Sequence, residues 1–178
     1  GTEIKRLIGR CIRAAIDLDK MPGVSITLDC DVATADGGTR TASITGAFVS
    51  LALAVRAAKD KGMIDKDPII GPVAAISVGI IDGKPHLDLD YPLDVRAGVD
   101  MNIAMNHKRE YVEVQGTAEG ATFNRDQLDA LLSLADKGIR KLIRLQRDAL
   151  RCITARAEPQ PESLGDMSKS FLVLSCPF

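Results

Sequence analysis

At 178 residues, with 46% hydrophobic and 26% charged side chains, the chain can bury one sizeable core and has ordinary globular composition. A formal net charge of −1 excludes a strongly basic nucleic-acid-binding domain, so any such contact must be a local patch or be assembled from several subunits. No apolar run reads as long enough to span a membrane, and no signal-peptide pattern is present. The cysteines Cys11, Cys30, Cys152 and Cys176 are scattered without a C-x-x-C pair, which reads as reduced thiols of a cytoplasmic protein.

Ile4, Leu7, Ile8, Cys11, Ile12 and Ala15 recur at helical spacing, so the spacing predicts an amphipathic helix over 2–16. Lys5, Arg6, Arg10 and Arg13 fall off that stripe, as a solvated face or as a subunit or RNA contact. Residues 24–32 alternate strictly, with Val24, Ile26, Leu28, Cys30 and Val32 on one side, as a half-buried strand does. A turn at 34–38 follows, then a helix from Thr39 to about Lys61, apolar enough to be buried on most sides.

Residues 72–81 read as a central strand, apolar on both faces. Asp82-Gly83 predicts a hairpin, with a return strand over 85–91 that places Leu87, Leu89 and Tyr91 opposite His86, Asp88 and Asp90. A second hairpin joins 99–106 to 111–116. Asn124 and Gln127 form a capping-box pattern ahead of a helix that runs to about Ala155. The mixture of hairpins and long helices predicts an α+β fold. Residues 1–155 are taken as one domain, and 156–178 as a linker with an apolar tail that the sequence does not place.

Two segments suggest chemistry. In Asp36-Gly-Gly-Thr-Arg-Thr-Ala-Ser43, a glycine turn opens a helix whose N-terminus offers free N–H groups and partial positive charge. Thr39, Thr41 and Ser43 add hydroxyls and Arg40 a two-pronged donor, so an anion site is predicted there, against an ordinary helix start with a surface arginine. Asp88, Asp90, Asp94 and Asp100 could converge from a strand, a loop and a second strand on Mg²⁺, or could simply be exposed hairpin acids. Arg140, Arg144, Arg147 and Arg151, with Lys137 and Lys141, form a basic helix face that reads as solvated or as an RNA footprint. His86 and His107 read as structural, and 3% aromatics leave few platforms for stacked bases.

These motifs occur together. Glu3-Ile-Lys-Arg-Leu-Ile-Gly-Arg10, Asp29-Cys-Asp-Val32 and Ala35-Asp-Gly-Gly-Thr-Arg-Thr-Ala-Ser-Ile-Thr-Gly46 follow one another as in ribonuclease PH. So do Ser77-Val-Gly-Ile80, Leu87-Asp-Leu-Asp-Tyr91, Asp100-Met-Asn102, Val112-Glu-Val-Gln-Gly-Thr-Ala-Glu-Gly120 and Arg125-Asp-Gln-Leu-Asp-Ala-Leu131. Residues 3 to about 150 therefore resemble that family. The resemblance implies the ribonuclease PH fold and a hexameric ring built as a trimer of dimers. It implies attack by inorganic phosphate on the 3′-terminal phosphodiester of RNA, tRNA precursors above all, supported by Mg²⁺ or another divalent metal. Phosphate would be held at Gly38, Thr39 and Arg40, and Asp94 and Asp100 would be catalytic and metal-binding. The resemblance also implies that the N-terminal strands, and an arginine completing the phosphate site, are absent ahead of Gly1. Leu93, Val95 and Arg96 depart from the family pattern. A non-catalytic ring subunit, or an inactive fragment, is the alternative expectation.

Overall fold

The computed structural model describes residues 2–34, 36–156 and 172–177. Among the described residues, four α-helices and six strands follow one another as α1 (Thr2–Arg13), β1 (Ile26–Asp31), α2 (Thr39–Asp60), β2 (Val73–Ile81), β3 (Lys84–Leu87), α3 (Tyr91–Arg96), β4 (Val99–Asn106), β5 (Tyr111–Ala118), α4 (Arg125–Arg156) and β6 (Leu172–Pro177). β3, β2, β4 and β5 form an antiparallel sheet in that order. Its two faces are covered by different helices, which is why β2 is buried at every position.

Alternation along the strands sorts the core. Ile76, Val78, Ile80, Val99, Met101, Ile103 and Met105 point toward α4 and pack on Leu131, Ala135, Ile139 and Ile143. Gly138 lets α4 approach, since a Cβ there would lie 2.7 Å from Ile76 Cδ1. Val73, Ala75 and Ala104 point the other way, into a cluster with Ile44, Phe48, Leu51 and Val55 of α2 and Leu7, Cys11 and Ile12 of α1. Burial raises the Cys11 thiol pKa to about 12, so it stays protonated as a small core group. Gln146 of α4 reaches through and donates to the carbonyls of Thr45 at 2.8 Å and Val73 at 2.9 Å.

Most elements lie where the periodicity puts them. The capping box is real: Asn124 N–H donates to Gln127 Oε1 and Gln127 N–H to Asn124 Oδ1, both at 2.9 Å. Arg10 is not a free face charge, because its guanidinium grips Glu113 of β5 through two 3.0 Å bonds.

Three readings change. α2 is long and apolar enough to cross a membrane by length and composition, although no such run was expected; Ala, Gly, Ser and Thr dilute its apolar pattern, and much of it is buried inside the protein. The return strand ends at Leu87, not 91. Asp88 takes a left-handed φ of 61°, and Asp90 caps α3 by accepting from Leu93 N–H at 2.9 Å. The Leu87/Leu89/Tyr91 alternation imitated a strand, whereas Asp90 followed by Tyr-Pro is a helix start. The apolar tail gains a place too. β6 lies parallel to β1, pairing Ile26 with Leu172 through Asp31 with Pro177. The expected linker between α4 and β6 lies outside the described residues.

Candidate functional site at the start of α2

The turn into α2 is shaped by glycines. Gly38 has φ 73°, a left-handed conformation that suits glycine, and supplies no side-chain cap. The first N–H groups of α2 therefore stay open to an anion. Gly37 is held for a different reason. A Cβ there would collide with the Leu89 carbonyl oxygen and lie 2.7 Å from the Asp90 carbonyl carbon. The turn is pressed onto the backbone that enters α3.

Asp36 fastens this contact. Its Oδ1 accepts from Gly37 N–H at 2.8 Å and from Tyr91 N–H at 2.7 Å. Those two bonds favour the carboxylate and hold its pKa below the ordinary value, the Tyr91 bond contributing most. From the sheet below, Ser77 Oγ accepts from Leu89 N–H at 3.0 Å. Leu89 itself is buried and covers Gly79, whose Cβ would clash with Leu89 Cδ1 at 2.7 Å. A chain of close backbone contacts thus fixes α2, β3 and α3 against one another.

The result brings three of the proposed residues together. Asp100 opens β4 on the side facing α2 and is half-buried. Its carboxyl pKa is raised, first by burial, then by the charge of Asp94, with Glu119 adding to the rise and the Arg40 guanidinium opposing it. Arg40 and the Asp94–Asp100 pair are therefore within electrostatic reach of one another. Arg40 is exposed and takes part in no ion pair among the described residues, so its guanidinium is free to bind. Thr39 and Arg40 also line a cleft of about 870 Å³ that runs between α1, β1 and α2.

Other expectations fail. Thr41 and Ser43 do not offer their hydroxyls to a ligand: both are buried and donate to the carbonyls of Gly38 and Thr39, each at 2.8 Å. The four aspartates do not converge. Asp90 is committed to capping α3, Asp88 lies in the turn, and no group of three or more potential metal ligands forms among the described residues. Sequence reasoning also missed Glu119, which follows β5 and is tied beside β4 by its N–H bond to Gly98 at 2.9 Å. The roles of Asp36 and Ser77 were missed as well, although an aspartate before two glycines is a turn signal.

Two of the departures at 93–96 have structural partners. Leu93 packs on the small cluster of Ile81, Leu89 and Ala97. Arg96 is engaged away from the pair, donating to Asp82 at 2.6 Å. Val95 is 67% exposed.

The four-stranded antiparallel sheet between helices is a fold that the chain shares with exosome-core structures. The archaeal exosome core superposes with a TM-score of 0.60 at 20% identity, covering 82% of this chain and 63% of that one. An Archaeoglobus fulgidus exosome with RNA bound to its active site gives 0.58 at 19% identity, over 79% of this chain and 59% of that one. The chain belongs to the 3′ exoribonuclease family: residues 1–57 match its domain 1 and residues 71–138 its domain 2. Ribonuclease PH of Corynebacterium efficiens is 56% identical over 148 residues, 83% of this chain and 60% of the relative. The chain thus spans about 60% of the length of the curated relatives it matches.

Proposed function

We propose that the chain carries the reaction centre of a phosphorolytic 3′-to-5′ exoribonuclease, with Gly38, Thr39 and Arg40 as the phosphate site and Asp94 and Asp100 as the catalytic carboxylates. This reading is carried by a helix start without a side-chain cap and an arginine with no ion pair among the described residues, in electrostatic reach of the half-buried Asp100 and its neighbour Asp94. Inorganic phosphate would rest on the α2 N–H groups, with Arg40 neutralising part of its charge. A phosphate oxygen would then attack the last phosphodiester of the RNA in line. The bond to the penultimate 3′ oxygen breaks, and a nucleoside diphosphate leaves. The nucleophile is already an anion, so positioning and charge neutralisation are the main tasks.

The mutual repulsion of Asp94 and Asp100 fits a divalent cation, which would relieve it. Two carboxylates suit Mg²⁺, which keeps several waters and demands few protein ligands. When bound, the ion would supply charge stabilisation at the phosphoryl oxygens and the leaving oxygen. Asp94 and Asp100 would hold it, and Asp36 would keep the phosphate turn in register with them.

In this reading residues 1–155 are the ribonuclease PH-like unit, the substrates are RNA 3′ ends such as those of tRNA precursors, the assembly is a hexameric ring, and the setting is cytoplasmic. The test is incubation with a 3′-extended RNA and Mg²⁺, with and without phosphate. Nucleoside diphosphates should appear only with phosphate, and Arg40→Ala or Asp94→Asn should lower the rate by about 10³-fold while the protein stays folded. A folded chain that yields no diphosphate, in an assembly of the right size, would point instead to a non-catalytic ring subunit.

A further inference from the structure

The opposite end of the sheet holds a second polar region that the reaction centre does not use. There the turn joining β4 to β5 stands over α4, leaving a cleft of about 520 Å³ lined by His107, Arg109, Lys137, Arg140, Arg144 and Arg147 among others. A neighbouring hollow of about 550 Å³ adds Lys108 and Tyr111 and shares Arg109, Asp136 and Lys137 with it. The two form one groove.

Its acids are already committed. Asp136 accepts from Arg109 at 3.0 and 3.1 Å and pairs with Arg140 at 3.3 Å, while Asp129 pairs with Arg125. Glu110, at the same turn, accepts from the neutral Asn106 amide at 2.7 Å and keeps its charge. Lys108, Lys137, Arg144 and Arg147 are exposed and make no ion pair among the described residues. Against the one unpaired carboxylate of Glu110, four cations without an ion pair among the described residues stand along this groove, on a chain whose net charge is −1. Lys137, Arg144 and Arg147 recur along α4, spanning roughly 15 Å at about 1.5 Å per residue. A row of that length suits a chain of anions better than a single one.

We propose that this groove docks the body of an RNA whose 3′ end is engaged elsewhere. The choice of RNA rests on the function proposed above. Charge complementarity favours a phosphate backbone, and Tyr111, 50% exposed beside Lys108, offers a base a ring to stack on, which an acidic peptide would not need. The groove is separate from the reaction centre. Asp100 faces α2, whereas Met105 at the groove faces α4, and the six steps from Asp100 to Asn106 cover roughly 20 Å of strand.

The test is RNA binding, not turnover. Fluorescence anisotropy would compare a stem-loop RNA bearing a single-stranded 3′ extension with the extension alone. Arg144→Glu combined with Arg147→Glu should weaken stem-loop binding about tenfold or more and lower the slope of log K against log salt by about 2. Affinity for the extension alone should not change. Tyr111→Ala should cost several-fold, and Lys61→Glu, at the far end of α2, should cost nothing. Stem-loop affinity within twofold of the parent would overturn the proposal. So would an equal loss in Lys61→Glu, or a change in assembly mass without a change in RNA affinity, which would make the groove a subunit interface. A parent that releases no diphosphate but loses stem-loop binding in the Glu pair leaves the groove standing and removes the proposed activity. A parent that trims RNA but binds it unchanged in the Glu pair does the reverse.

Discussion

The two faces of the four-stranded sheet are built differently. Toward α4, β2 and β4 present an unbroken apolar surface from Ile80 and Val99 to Met105, and charge appears only at its rim, at the His107–Arg109 turn and along α4. Toward α2, the same strands carry Ser77, Gly79, Asp100 and Asn102 at one end, where apolar alternation stops. Gly79 makes room for Leu89, Ser77 receives the Leu89 N–H, and Asp100 is left half-buried beside Asp94. The α4 face therefore supplies stability, and the α2 face gives some of it up to hold a charged group in a poor environment. A half-buried carboxylate repelled by its neighbour costs folding free energy, as sites that concentrate charge commonly do.

Substitutions can break this contrast. Beyond the reaction-centre residues themselves, the largest effect on the α2 face is expected from Gly37→Ala. Its Cβ would meet backbone atoms of Leu89 and Asp90, which cannot move aside as a side-chain tip could. The turn would lift from α3, and phosphate-dependent turnover should fall about 100-fold while far-UV circular dichroism is preserved. On the α4 face, Gln146→Ala removes the donor shared by the Thr45 and Val73 carbonyls. Stability in urea should drop by about 2 kcal/mol, with the KM for phosphate unchanged.

The smallest effect separates the faces most cleanly. The Asp100 pKa is raised in the folded chain, so its charge destabilises the fold above the ordinary value of 3.8, and the penalty disappears as pH falls below it. Asp100→Asn should therefore raise Tm by a few degrees at pH 7 and abolish turnover. The gain should shrink toward zero as the pH approaches 3.8. Asp36 behaves oppositely. Its lowered pKa makes its contribution present above the ordinary carboxylate value and lost as pH falls through the folded one.

The apolar alternation of 24–32, the continuous run of 72–81 and the Asn124–Gln127 box made most of the fold legible, because burial on one or both faces imposes those patterns. The segment 88–96 was misread, since Leu87, Leu89 and Tyr91 alternate like a strand while Asp88 turns the chain and Asp90 starts a helix. The Asp36–Ser43 segment could be singled out because a glycine turn before a helix is a local signal, whereas its narrowing to Gly38, Thr39 and Arg40 came from the family resemblance. The proximity of Arg40 to Asp100 could not be read from spacing. It depends on Asp36 bonding to Tyr91, 55 residues away, and on Ser77 holding Leu89. Thr41 and Ser43 were overcounted because a hydroxyl in the first turns of a helix can bond back to its own backbone.

The most direct measurement is inorganic phosphate binding, followed by calorimetry with and without Mg²⁺, for the parent chain and for Arg40→Ala. Saturable binding that tightens with Mg²⁺ and is lost in Arg40→Ala is the expected result. Equal binding by both proteins, or binding indifferent to Mg²⁺ in the parent and in Asp94→Asn, would contradict the assignment of the α2 start and the Asp94–Asp100 pair as one reaction centre.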